Sequence, residues 1–172
     1  DIPKSTVNFV PTEGDINSGP LVVGGAGNGT FTVGNVALVQ ANGTDGNGVG
    51  MYIGRDANST GIASVTGDFI FEDDDNGIYF SSYANLDINN GALVVGGAGN
   101  GTLTVPNYGW VHVNGADANG VGMYIGKDAN STGNVTVTDA DENGDFSELD
   151  VNNGGLVVGG AGNGTLTVSN GG

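Results

Sequence analysis

The sequence predicts an all-β fold: a β-solenoid (β-helix) of stacked coils, with about three short strands in each. Three observations carry that prediction. The phrase LVVGGAGNGTFTV begins at Leu21 and returns as LVVGGAGNGTLTV at Leu93 and at Leu156. A second phrase, GVGMYIGRDANSTG at Gly48, returns at Gly120 with Lys127 in place of Arg55. Throughout, apolar residues recur two apart, and no helical stripe of apolar residues is visible.

The repeats set the organisation. The two phrases alternate in five units that start near residues 21, 51, 93, 123 and 156, at steps of 30, 42, 30 and 33 residues. Self-similarity on that scale signals a repeat architecture. Residues 13–172 form the solenoid in this reading, and residues 1–12 form an N-terminal leader that matches no repeat.

Within the units, Leu103/Val105, Val111/Val113, Met123/Ile125, Val135/Val137 and Leu149/Val151 stand two apart. Thr104, His112, Tyr124, Thr136 and Asp150 lie between them. On a strand this alternation turns the first set inward and the second outward. Asn-Gly, Asp-Ala-Asn and Gly-Gly separate the bursts and read as turns. Equivalent strands at fixed spacing stack in register about 4.8 Å apart, each coil shielding the edges of the next. The count is about five coils, including a partial last one. The Gly-Asn-Gly of the first phrase is expected to turn a corner at every second coil, where a Cβ would clash. A phosphate-cradling loop is the competing reading, but it needs a helix and a lysine after the glycines. The residues that follow here are Thr102-Leu103-Thr104-Val105, a strand.

At 172 residues the chain fits one ordinary domain. Nineteen acidic residues face three basic ones, Lys4, Arg55 and Lys127, for a net charge of −16. That balance argues against nucleic acid, whose phosphates need basic neutralisation, and against anionic membrane surfaces. It favours uptake of divalent cations. With no cysteine, disulfides and thiolate chemistry are excluded. No apolar run is long enough to span a bilayer. The chain opens at Asp1 with no signal peptide, which reads as a mature, processed product.

VVGGAGNGTLTV resembles the repeats of bacterial autotransporter (type V secretion) passengers and PEP-CTERM-associated surface proteins, with their VG…G.GTLTV..GG pattern. The resemblance covers nearly everything from Leu21 onward. It implies a secreted β-helical stalk or adhesin at the cell surface and no catalytic activity. The chain departs from that family in being short and in carrying neither a translocator barrel nor a sorting tail.

The sharpest candidate site is DADENGDFSELD, which follows the spacing of a calcium loop. Asp139, Asp141 and Asn143 take the first, third and fifth places, and Gly144 takes the sharp sixth. Asp145 offers its carbonyl at the seventh, Ser147 sits at the ninth, and Asp150 closes the loop at the twelfth, where Glu is more usual. The cation would be structural, and a solvated acidic turn is the alternative. One period earlier, Glu72, Asp74 and Asn76 form a looser candidate for calcium within a run of four adjacent carboxylates, whose mutual repulsion calls for neutralisation. A solvated bulge competes there too. Asp45 and Asp117, like Asp56 and Asp128, read as Asx turns.

Catalysis finds little support, and the chain is expected not to be an enzyme. The single histidine, His112, alternates outward without an evident partner in sequence and reads as a surface residue. A rank of hydroxyls, Thr32, Ser64, Thr104, Thr136 and Thr167, occupies equivalent positions, beside an interrupted second rank at Thr30, Ile62, Thr102, Asn134 and Thr165. Such a face suits a glycan or ice, although threonine is also simply a good strand former. Finally, Glu13–Gly19 mimics Glu148–Gly154. Open strand edges invite pairing, and a heterologous contact that does not close generates a fibre. The expectation is therefore an extracellular homopolymer that stacks head to tail, with the leader adding as a strand to a neighbour. A fragment of a longer passenger stalk, acting as an adhesin or glycan- or ice-binding module, is the alternative.

Overall fold

Alternating strands joined by glycine and asparagine corners wind the chain into a column. The computed structural model describes residues 4–9, 13–73, 78–138 and 146–172. A lone first strand, β1 (Lys4–Phe9), precedes five coils. The first coil holds β2 (Glu13–Ile16), β3 (Leu21–Val23) and β4 (Asn28–Gly34), and the second holds β5 (Leu38–Ala41), β6 (Val49–Ile53) and β7 (Thr60–Thr66). An antiparallel hairpin of β8 (Asp68–Asp73) and β9 (Ile78–Ser82) then interrupts the winding. The third coil is β10 (Ala84–Ile88), β11 (Ala92–Val95) and β12 (Asn100–Pro106), and the fourth is β13 (Gly109–Val113), β14 (Val121–Ile125) and β15 (Thr132–Thr138). The fifth is β16 (Glu148–Val151), β17 (Gly155–Val158) and β18 (Asn163–Ser169).

Each coil contributes one strand to each of three parallel sheets, and no helix occurs among the described residues. Sheet I is β1-β4-β7-β12-β15-β18, sheet II is β2-β5-β10-β13-β16, and sheet III is β3-β6-β11-β14-β17. The solenoid is therefore the observed fold, with three strands per coil. The last coil has all three of its strands, where a partial one was expected. The long step of 42 residues is explained by the hairpin, which the sequence pattern did not reveal as a strand pair. The leader's β1 pairs in parallel with β4 of its own chain, from Lys4 opposite Asn28 to Phe9 opposite Val33.

The inward residues stack as columns. In sheet III, Leu21, Met51, Leu93, Met123 and Leu156 are successive partners. In sheet I, Phe31, Ala63, Leu103, Val135 and Leu166 follow one another. The large residues Met51, Leu86, Leu93, Leu103, Val111 and Met123 are fully buried in one continuous core. Each such side chain stabilises the fold by roughly 1.5–3 kcal/mol relative to exposure. Leu149, Val151 and Leu166 pack on the core but stay partly exposed in the fifth coil.

Two columns of glycine shape the corner between sheets III and I. Gly24, Gly54, Gly96, Gly126 and Gly159 all adopt positive φ, between 67° and 73°, a region that side chains with a Cβ avoid. Gly29, Gly61, Gly101, Gly133 and Gly164 lie inside sheet I with their Cα atoms against the backbone of that corner, so a Cβ at any of them would strike main chain. This corrects the expected role of Gly-Asn-Gly. The corner is turned at every coil by the first glycine after sheet III, and the Asn-Gly that follows in the first phrase already belongs to the strand.

An asparagine ladder runs down the corner after sheet II. The side-chain amide of Asn42 donates to Asn17 Oδ1 at 2.9 Å, Asn89 to Asn42 at 2.8 Å, Asn114 to Asn89 at 3.1 Å and Asn152 to Asn114 at 3.0 Å. Every amide oxygen between two coils thus finds a donor from the coil above, which holds the register of successive coils.

Candidate functional site

Stacking converts distance in sequence into contact between rungs. On the outer face of sheet II, Asp15, Gln40, Asp87, His112 and Asp150 are successive Cα partners. The neighbouring outward column is Glu13, Leu38, Asn85, Trp110 and Glu148. Chemistry concentrates where these two columns cross the third to fifth coils.

His112 is not the unpartnered surface residue that the sequence suggests. Its Nδ1 lies 2.8 Å from Asp87 Oδ1, and the two side chains are only 24% and 20% exposed. Asp87 is 25 residues away in the chain but one rung away in the sheet. The hydrogen bond to Asp87 holds the imidazole's pKa above its ordinary value against the opposing effect of burial, with Glu148 and Asp150 adding charge attraction. Glu148 is likewise pushed up, first by its hydrogen bond with Asp150 and then by burial. Ligand atoms of His112, Glu148 and Asp150 all lie within 4.8 Å of one another, on half-buried side chains.

Aromatic residues border this cluster. The Tyr83 and Trp110 rings stand 4.2 Å apart at 40°, Tyr108 meets Tyr83 edge-on at 6.0 Å, and Trp110 meets His112 at 6.1 Å. The indole Nε1 of Trp110 donates to the Phe146 carbonyl at 3.3 Å. The repeat elsewhere places Leu38 and Asn85 on the rungs of this column, so Trp110 is a local departure from it.

A second group of polar side chains is structural. Asp45 Oδ1 accepts hydrogen bonds from the amides of Asn47 and Val49, at 2.8 and 3.0 Å, while the Tyr52 hydroxyl donates to Oδ2 at 2.8 Å. Asp117 repeats the arrangement with Asn119, Val121 and Tyr124 at the same three distances. Burial opposes ionisation at both aspartates, but the donated hydrogen bonds outweigh it and hold their pKa values below the ordinary one. Burial first, then the aspartate, pushes Tyr52 and Tyr124 up. The Asx-turn reading of these residues is what the geometry shows.

The predicted calcium loops fall largely outside the described residues. Asp139, Asp141, Asn143 and Asp145 lie there, as do Asp74 and Asn76. Glu72 falls on β8, opposite Tyr79 in the hairpin. Ser147 is buried and donates its hydroxyl to the Thr138 carbonyl at 3.1 Å. Asp150 sits on β16 against His112, a neighbour that the loop spacing gave no hint of. The hydroxyl rank is in register as expected, with Thr32, Ser64, Thr104, Thr136 and Thr167 as successive partners on sheet I.

The end faces of the column are apolar. Leu156 and Val158 are 45% exposed and Val168 is 58% exposed. With Leu149, Val151 and Leu166 they line a recess of about 340 Å³. A smaller recess of about 270 Å³ at the opposite end is bordered by Val7, Ile16, Leu21 and Phe31.

These features define the class of protein as a parallel β-solenoid repeat protein. No protein-family model matches this chain, no curated protein matches it, and no solved structure matches it.

Proposed function

We propose that this chain is a structural β-solenoid unit of a secreted extracellular filament or surface fibre, extended axially by head-to-tail stacking and stiffened by calcium. The observation that carries this reading is the interchangeability of coil faces. Coils of the first phrase and of the second alternate, yet the register between them is kept in sheet I, from Asn28 opposite Thr60 to Thr138 opposite Ser169. Any coil face is therefore a fitted seat for the next. A second copy, or further coils, would cover the exposed Leu156, Val158 and Val168 while pairing the open strand edges. The net charge of −16 opposes lateral clumping of such columns.

The cell-surface location rests on the resemblance to autotransporter and PEP-CTERM-associated repeats, and calcium at 139–150 rests on the loop spacing. The reading assigns the chain no catalysis. Electron microscopy and sedimentation of the purified chain test the assembly. Fibres whose length grows with concentration are expected, and a monomer at every concentration would overturn stacking by this chain. Melting with and without a chelator tests calcium, because a ligand that binds only the folded state raises its midpoint. An unchanged midpoint removes calcium from the account and leaves the stacking intact.

The partly exposed aromatic pair Tyr83 and Trp110 favours a second reading, a glycan-binding adhesin module. Sugar faces pack on aromatic rings, and Asp87 and Asn85 stand on the adjoining rung as hydrogen-bonding groups. Trp110 is the only tryptophan, so its fluorescence reports on oligosaccharide binding without interference. A flat titration across acidic and neutral oligosaccharides would end that reading.

A further inference from the structure

We propose that His112, Glu148 and Asp150 form a binding site for a divalent transition cation such as zinc, oriented by Asp87, so that Asp150 serves this cation and not the twelfth position of the 139–150 loop. The inference is independent of fibre assembly.

The ligand set is built by the stacking of three rungs. Asp87, His112 and Asp150 follow one another on β10, β13 and β16, so the rung spacing of about 4.8 Å fixes their backbones relative to one another. Glu148 shares the outer face with Asp150, two residues earlier on the same strand. One nitrogen and two carboxylate oxygens already converge within 4.8 Å. Zinc bonds to nitrogen and oxygen are about 2.0–2.2 Å, which sets ligand atoms roughly 3.3 Å apart in a tetrahedral shell. Rotation of three half-buried side chains closes that difference.

The second nitrogen of the histidine is spoken for. Nδ1 is engaged by Asp87 at 2.8 Å, which leaves Nε2 for the cation. A carboxylate that holds the far nitrogen fixes ring orientation and tautomer and raises ligand basicity, an arrangement common to histidine metal sites. Imidazole with carboxylates suits zinc and its neighbours in the transition series, whereas calcium takes oxygen ligands only. Three protein ligands leave a fourth position for water or for a group on a partner.

The molecule contains its own control. At the opposite end of sheet II, Glu13 and Asp15 occupy the positions of Glu148 and Asp150, but Gln40 stands on the next rung where His112 would be. The two ends thus offer the same carboxylate pair with and without an imidazole. Because Gln40 is already accommodated in this column, His112→Gln is a conservative change for the fold.

The test is calorimetric titration of the chelator-treated full chain with zinc chloride. One saturable zinc per chain is expected, weakened at least tenfold by His112→Gln. Asp87→Asn, which keeps the side chain's shape but removes the orienting charge, is expected to weaken binding by about 10–100-fold, and Asp15→Asn to leave it unchanged. Cobalt(II) in place of zinc should give visible absorption bands that disappear in His112→Gln. Circular dichroism of each variant confirms that the fold is retained. The proposal is overturned by the absence of saturable binding, by unchanged affinity in His112→Gln, by an equal loss in Asp15→Asn, or by displacement of zinc by a hundredfold excess of calcium.

Discussion

The second and fourth coils are nearly the same in one half and different in the other. From Gly48 to Gly61 and from Gly120 to Gly133, their sequences differ only at Arg55/Lys127, and their hydrogen bonds agree. On the outer face of sheet II the same two coils diverge: Leu38 and Gln40 in one become Trp110 and His112 in the other. The difference follows from what each region demands. The corners must bring glycine against main chain, place Asn58 and Asn130 at φ 64° and seat a hydrogen-bonded aspartate carboxylate, so few residues serve. An outward rung of sheet II asks only for a side chain that tolerates a strand, so residues with chemistry of their own can be placed there without cost to the column.

Substitutions that attack the corner should therefore cost far more than those on the outer face. The largest loss is expected for Gly133→Ala, whose Cβ would strike the backbone of Val95, Ile125 and Gly126. A destabilisation of about 4 kcal/mol or more, or failure to fold, should appear in urea denaturation. Gly46→Ala, where the space around the Cβ is open, should change stability by less than about 0.5 kcal/mol in the same measurement. If the two variants behaved alike, the idea that backbone proximity enforces the repeat would fail. Next comes Leu103→Ala in the core, which should cost about 2–5 kcal/mol by removing a fully buried side chain from its column.

The aspartate latch should come third. Asp117→Asn loses a charged acceptor of two backbone amides and the Tyr124 hydroxyl, a loss of roughly 1–3 kcal/mol at neutral pH. Its pH dependence has a definite sign. The folded pKa of Asp117 lies below the ordinary value of 3.8, so its contribution is complete above that pH and fades as pH falls through the folded value. Thermal melts of the wild type should accordingly drop on acidification below about pH 4, and the Asp117→Asn variant should show a shallower drop. Parallel acid profiles would mean that the carboxylate is not tied to folding.

Smaller again is Asn114→Ala in the asparagine ladder, which removes a donor to Asn89 and an acceptor for Asn152. A loss of about 1–2 kcal/mol is expected from the denaturation midpoint. His112→Gln should be the mildest, under about 1 kcal/mol, while weakening zinc binding at least tenfold. A stability loss there as large as in the glycine column would break the contrast between the two regions.

Much of the fold was legible from the sequence because a solenoid is a one-dimensional object. Identical phrases at fixed spacing, apolar residues two apart and corner residues after each burst determine that strands stack in register. They therefore determine the inward columns at Leu103, Val111 and Met123 and the outward rank at Thr32, Ser64 and Thr104. The Asx turns at Asp45 and Asp117 were equally legible, since their backbone-amide partners lie within four residues. Three things were decided only in three dimensions. The corner glycine was misplaced because its reason is the close approach of a different segment, Gly24 over the neighbouring Gly61, and not the local string Gly-Asn-Gly. The hairpin of β8 and β9 was hidden by a run of carboxylates that speaks of cations before it speaks of strands. The group of Asp87, His112, Glu148 and Asp150 could not be read at all. Its members are joined by rung-to-rung stacking across 25 to 38 residues, and register between coils is fixed by the core they surround and not by any motif they form.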